Sequence, residues 1–212
     1  MVKTVVCFGD SNTHGYNAEN GGRFSIEERW TRILGKKLGD EYDVIEEGTS
    51  GRTTVFDDPL FEGLSGLEAI HTCLMTHEPV DILIIMLGTN DTQERFGATA
   101  RNIAQGLARL TEKAKHVTGA WAGEPKIVLV SPVPIEEGYA VSDVGGEMGA
   151  DCVEKSLGLA VQYERIAREQ GCYFLDAAKI SGIGVIPTDY MHLTKESHKL
   201  LAEELAEIIR KI

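Results

Sequence analysis

The sequence predicts an α/β fold, a three-layer α/β/α sandwich around a five-stranded parallel sheet. Three observations carry that prediction. Five segments rich in β-branched residues alternate with five of helical periodicity, the order expected of parallel strands joined by crossover helices. Two of the strand segments are nearly continuous apolar runs, as strands covered on both faces must be. The chain has 212 residues, 42% hydrophobic and 25% charged, which is core material enough for one substantial domain.

The strands are read at residues 4–8, 43–47, 81–87, 126–131 and 172–176, and the third and fourth are the apolar runs. Helical periodicity marks residues 26–38, 66–77, 98–115, 151–170 and 195–212. The last segment places Leu200, Leu201, Leu205, Ile208 and Ile209 on one face, behind Thr194 as an N-cap. The expected strand order is flavodoxin-like, 2-1-3-4-5, and ligands of such sheets bind beyond the carboxyl ends of the strands. Ser11, Gly51 and Asn90 all follow strand ends, so the fold gathers them on one edge. No repeat or Pro/Gly-rich linker divides residues 1–212, which are read as a single domain. Residues 17–25, 52–65 and 133–150 are long for connections and are expected to shape a substrate mouth or a subunit contact, or to be plain surface elaboration.

Thirty-three acidic residues against 21 basic ones give a net charge of −12. Nucleic acid and anionic membrane would both repel such a surface and are excluded as principal partners. Cys7, Cys73, Cys152 and Cys172 form no CxxC pair, and no Cys/His spacing reads as a zinc site, so no metal is expected. The expectation is a reduced, cytoplasmic protein. Met1-Val2-Lys3 runs straight into the first strand with no signal-peptide segment, and the longest apolar run, Ile82 to Leu87, is far too short to span a bilayer.

The chemistry lies at the two ends of the chain. Phe8-Gly9-Asp10-Ser11-Asn12 sets a serine on a tight turn after an apolar strand, and Asp189-Tyr190-Met191-His192 sets an acid three residues before a histidine. Ser11 can attack as nucleophile, His192 can take and return its proton, and Asp189 can fix the imidazole tautomer. The backbone N–H of Ser11, the amide of Gly51 and the side-chain NH₂ of Asn90 are the candidate oxyanion donors. Each feature has a blander reading. Serine is a good helix N-cap, Gly88-Thr89-Asn90-Asp91 makes an ordinary turn, and an isolated DxxH is a common exposed pair. Their joint presence favours the serine esterase. Asp10 and Asp91 are expected to hold loops through backbone amides, and His14 to line the mouth at most.

Together these blocks resemble the SGNH hydrolases, also called GDSL-type esterases, whose Ser, Gly, Asn and His match Ser11, Gly51, Asn90 and His192. Val44-Ile45-Glu46-Glu47-Gly48, Arg52-Thr53-Thr54 with Asp57-Asp58-Pro59, and Ile84 through Thr92 are similar to the bacterial aryl esterase and acyltransferase subgroup. The resemblance implies a flavodoxin-like three-layer fold, metal-free and cofactor-free Ser-His-Asp catalysis, short-chain acyl esters or thioesters as substrates, and a homo-oligomer. One departure stands out, because the signature Gly-Asp-Ser-Leu reads Gly9-Asp10-Ser11-Asn12. A polar Asn12 beside the nucleophile points to small or polar esters such as acetylated sugars, with Tyr190 and Met191 also expected to line the site.

The expected activity is therefore hydrolysis of short-acyl esters through a Ser11 acyl-enzyme, with transfer to alcohols or deacetylation of carbohydrates as variants. An α/β-hydrolase is disfavoured because its nucleophile elbow needs G-x-S-x-G, and position 13 here is Thr13. A non-catalytic binding module with a degenerate esterase site is the reading from another class. Nucleotide binding lacks its glycine-rich signature after the first strand.

Overall fold

The computed structural model describes residues 2–212; Met1, with which the reading of the N-terminus began, lies outside them. The strands of the main sheet are β1 (Lys3–Gly9), β4 (Tyr42–Gly48), β5 (Val80–Met86), β6 (Trp121–Ser131) and β7 (Tyr173–Asp176). β2 (Tyr16–Asn17) and β3 (Gly22–Arg23) form a small antiparallel hairpin. All neighbours in the main sheet are parallel, in the order β4-β1-β5-β6-β7. Counted by main-sheet strands alone, this is the 2-1-3-4-5 order expected from the sequence.

The helices are α1 (Ser11–His14), α2 (Trp30–Leu38), α3 (Gly66–Thr76), α4 (Ala100–Lys115), α5 (Gly145–Met148), α6 (Cys152–Leu157), α7 (Leu159–Gln170) and α8 (Lys195–Ile209). Strand side chains alternate between faces, so β1 sends Val6 and Phe8 into one core and Val5 and Cys7 into the other. The first core is closed by apolar residues of α3, α4 and α7, among them Ile70, Leu74, Leu107 and Tyr163. The second is closed by α2 and α8 through Trp30, Leu34, Leu201 and Leu205. Thr194 caps α8 as expected, its hydroxyl accepting from the Ser197 amide at 3.1 Å.

Several bounds differ from the sequence expectation; β6, for one, starts at Trp121 rather than at residue 126. The helix expected over 151–170 is two, α6 and α7, divided at Gly158. A Cβ at that position would lie 2.8 Å from the Ala100 methyl, so close approach to α4 demands glycine there. The first long helix begins at Trp30 rather than Ile26, because residues 25–29 are spent on a turn in which the Glu28 and Arg29 amides bond the Ser25 carbonyl. Residues 133–150 are not a bare loop; they carry the 3₁₀ helix Glu137–Val141 and α5.

Candidate active site

β1 is an interior strand of the sheet, and at its end the chain turns at once into α1. The carboxylate of Asp10 caps that helix by accepting the Asn12 amide at 2.9 Å. Ser11 is thereby the first residue of a helix at the carboxyl edge of the sheet, where its own amide has no intrahelical acceptor. The other half of the site is a loop folded on itself before α8. The Ile186 amide bonds the His192 carbonyl at 2.7 Å, and Tyr190 takes a left-handed conformation with φ +62°. Asp189 Oδ1 accepts the amides of Met191 and His192, both at 3.2 Å.

These two segments, 181 residues apart, meet: His192 Nε2 stands 2.7 Å from Ser11 Oγ, and His192 Nδ1 stands 2.5 Å from Asp189 Oδ2. Burial pushes the Asp189 carboxyl up, but hydrogen bonds from the His192 ring and from the Met191 and His192 amides outweigh it and hold the group below its ordinary value. Asp189 is thus an anion beneath the imidazole, the arrangement that stabilises an imidazolium. The Tyr16 ring lies against the imidazole, centroids 4.7 Å apart.

Gly51 sits in a turn closed by the Arg52 amide on the Thr49 carbonyl at 3.1 Å. Its φ of +84° is the left-handed conformation that the third residue of a type II turn takes, and a Cβ would press to within 2.9 Å of Leu64. Among the described residues the amides of Ser11 and Gly51 have no protein acceptor. Asn90 opens a 3₁₀ turn after β5 and donates one Nδ2 proton to the Arg52 carbonyl at 3.0 Å. That bond fixes the amide plane and leaves its second proton for a ligand.

Asp10 and Asp91 lie below this surface. Burial raises Asp10 to about 6, although the Asn12 amide and the charges of His192 and Arg52 oppose the shift. Burial likewise raises Asp91 to about 7 against the hydrogen bonds of Thr54, whose amide and hydroxyl it accepts. Both carboxylates hold loops, and neither lines the cleft.

The cleft above Ser11 and His192 has a volume of about 480 Å³. Tyr16, Phe61, Leu64, Val144, Met148 and Met191 give it apolar walls. Ser50, Asp58, Glu62, Asn90, Gln93 and Glu147 supply the polar groups. Of the residues expected to line the site, Met191 is in the cleft wall and Asn12 and Tyr190 are not. Asn12 is buried beneath the site, donating from Nδ2 to the Met191 carbonyl at 3.2 Å and accepting the Leu193 amide at 2.8 Å. Tyr190 turns away to pack with Ile135, Tyr139 and Met148, its ring filling the space over Gly138. His14 also stays out, and its carbonyl receives the Arg23 guanidinium. Most cleft residues missed in the sequence come from the connections 52–65 and 133–150, whose length was the available signal; Tyr16 and Gln93 lie outside them.

A second cluster lies apart from the cleft. Glu47, Cys73 and His77 bring three potential ligand atoms within 4.8 Å of one another. The sequence reading passed over it because Cys73 and His77 are a CxxxH pair that only a helix makes into neighbours, and Glu47 arrives from another element.

Residues 7–200 match the family described as GDSL-like Lipase/Acylhydrolase family. The chain is similar to a carbohydrate acetylesterase family member from Sinorhizobium meliloti, at 35% identity over 99% of this chain and 98% of that one, with a TM-score of 0.89. It is also similar to the native aryl esterase of M. smegmatis, at 34% identity over 99% of both chains, with a TM-score of 0.88. A member of the lipolytic protein G-D-S-L family from Veillonella parvula, 16% identical with both chains fully covered and a TM-score of 0.71, shares the fold. No curated protein matches the chain. Among the described residues, no helix is long and apolar enough to cross a membrane.

Proposed function

The chain belongs to the GDSL-like lipase/acylhydrolase family and is a carboxylic ester hydrolase, and from that premise we propose that it cleaves short-chain acyl esters through a covalent Ser11 acyl-enzyme. The observation that carries this reading is the unbroken hydrogen-bonded line from Asp189 through His192 to Ser11, ending at a cleft with unused donors. Ser11 Oγ attacks the ester carbonyl while His192 Nε2 takes its proton. The carbonyl oxygen, now an anion, lies among the Ser11 and Gly51 amides and the Asn90 side chain. Collapse of this intermediate breaks the bond to the alkoxide, which leaves with the proton from His192. Water then enters by the same base and releases the acid and free Ser11. An alcohol entering in place of water gives acyl transfer.

The walls support a short acyl chain and a polar alcohol. Leu64 stands beside Gly51 in the wall on the oxyanion side, whereas Asp58, Glu62, Gln93 and Glu147 offer hydrogen-bond partners to a hydroxylated leaving group. Deacetylation of a carbohydrate is the second reading, favoured by that polar wall and by the likeness to a carbohydrate acetylesterase. Asn12, buried beneath the site, adds nothing to that polar wall. A net charge of −12 and four unbridged cysteines support a small neutral ester met in the cytoplasm, rather than nucleic acid or membrane. A non-catalytic binding module would have no use for the aligned acid, base and hydroxyl.

The test is hydrolysis of p-nitrophenyl acetate, butyrate and octanoate, then of acetylated sugars, by wild type and Ser11→Ala. Activity should fall with acyl length and drop roughly 10⁴–10⁶-fold in the variant. A fluorophosphonate should label wild type alone. Full activity in Ser11→Ala would overturn the mechanism.

A further inference from the structure

His77 caps the C-terminus of α3, and Cys73 lies four residues earlier, so both side chains project from one face of that helix. Glu47, near the end of β4, meets them there, its Oε1 2.7 Å from His77 Nε2. The Cys73 sulfur completes a triangle whose atoms are all within 4.8 Å. None of the three lines the catalytic cleft.

The donor set is selective. A thiolate, an imidazole and a carboxylate suit zinc and its softer neighbours, which accept three protein ligands with water as the fourth. Magnesium and calcium prefer all-oxygen shells. Access is graded, since Cys73 is buried while the side chains of His77 and Glu47 keep 19% and 30% of their surface in solvent. An ion can therefore enter past the imidazole and carboxylate and find sulfur at the inner end. Charge also balances, because thiolate and carboxylate together neutralise a divalent cation. The last turn of α3 has no basic residue to answer its dipole, and a cation at that end is favoured. Arg52 is the cation whose field reaches Glu47 and Cys73.

We propose that Glu47, Cys73 and His77 form a binding site for a thiophilic divalent cation, zinc by its chemistry, that ties α3 to the outer strand β4. On binding, the sulfur–metal bond forms as the S–H bond of Cys73 breaks, and the proton passes to solvent. The competing account is a plain His–Glu bridge bracing the helix on the strand, with an inert thiol beside it.

Cobalt(II) chloride titrated into chelator-treated protein distinguishes the two. A thiolate-to-cobalt charge-transfer band should grow to one equivalent, be displaced by zinc and resist magnesium. It should vanish in Cys73→Ser and survive in Cys172→Ser. His77→Gln should weaken cobalt binding by at least about tenfold, the loss that even an outer partner of a metal site brings. Zinc should raise the melting temperature of wild type and not of His77→Gln. Absence of the band in wild type, or its persistence in Cys73→Ser, would overturn the site. If Cys73→Ser does not fold, His77→Gln carries the decision, and unchanged cobalt affinity there would overturn it equally.

Discussion

Asn12 does more for the site than its place outside the cleft suggests. Its side chain bonds Met191 and Leu193 across 179 and 181 residues of sequence, and its carbonyl accepts the Trp30 indole at 3.1 Å. The helix that carries Ser11 is thereby pinned to the loop that carries His192. Asn12→Ala leaves the buried Leu193 amide unpaired, a cost of about 1–3 kcal/mol. It also frees Ser11 and His192 to drift apart, and small misplacements cost up to about 10²-fold in rate. Steady-state kinetics should accordingly show kcat falling with KM little changed. An unaltered kcat in a merely less stable variant would limit Asn12 to a structural role. Ser11, Asp189 and His192 were legible in the sequence because each belongs to a short local motif. The role of Asn12 was not, because its partners lie at the far end of the chain.

At the scale of elements, the cleft depends on two long connections fastened by one short turn. Arg95, in the 3₁₀ helix Glu94–Phe96, reaches Glu147 at 3.2 Å on one side and Asp58 at 3.8 Å on the other. Its neighbour Glu94 accepts the Ala150 amide at 3.0 Å. Arg95 so joins residues 52–65 to residues 133–150 through two residues of the cleft wall. The exposed Glu147 pair contributes less than about 1 kcal/mol, but Asp58 keeps only 4% of its side chain in solvent, so Arg95→Ala strands that carboxylate and should lower the melting temperature. It should also alter selectivity: with the two walls untied, kcat/KM for p-nitrophenyl octanoate should rise relative to acetate. An unchanged ratio would mean the walls hold their spacing without it. The sheet itself was readable because strands buried on both faces leave apolar runs. Two-residue strands such as β2 and β3 have no period to detect, and the break at Gly158 depends on Ala100, a contact that no local pattern records.

For the whole molecule, the buried coupling of α2 to α8 sets an acid limit on stability. His198, on α8, accepts the Trp30 amide of α2 at 3.3 Å and lies edge-on to Phe24. Burial, aided by the charge of His192, lowers its pKa from 6.5 to about 3. A group depressed in the fold gives stability that is full above its unfolded value and is lost as pH falls through the folded one. The contribution of His198 should therefore be lost between pH 6.5 and about 3. Asp10 and Asp91, raised to about 6 and about 7, act in the opposite sense but equally in any His198 variant. Urea unfolding across this range should show His198→Phe weaker at pH 7 by about 1–3 kcal/mol, from the orphaned Trp30 amide, with a shallower acid decline. Parallel curves would remove His198 as the cause. The meeting of Ser11 with His192 over 181 residues has one more consequence, which concerns the birth of the protein. A ribosome that has made the first nine-tenths of this chain has made a serine with no base beside it. On the proposed mechanism the nascent chain should hydrolyse no ester until its C-terminal loop has folded against α1, and a chain cut short before Asp189 should be inactive.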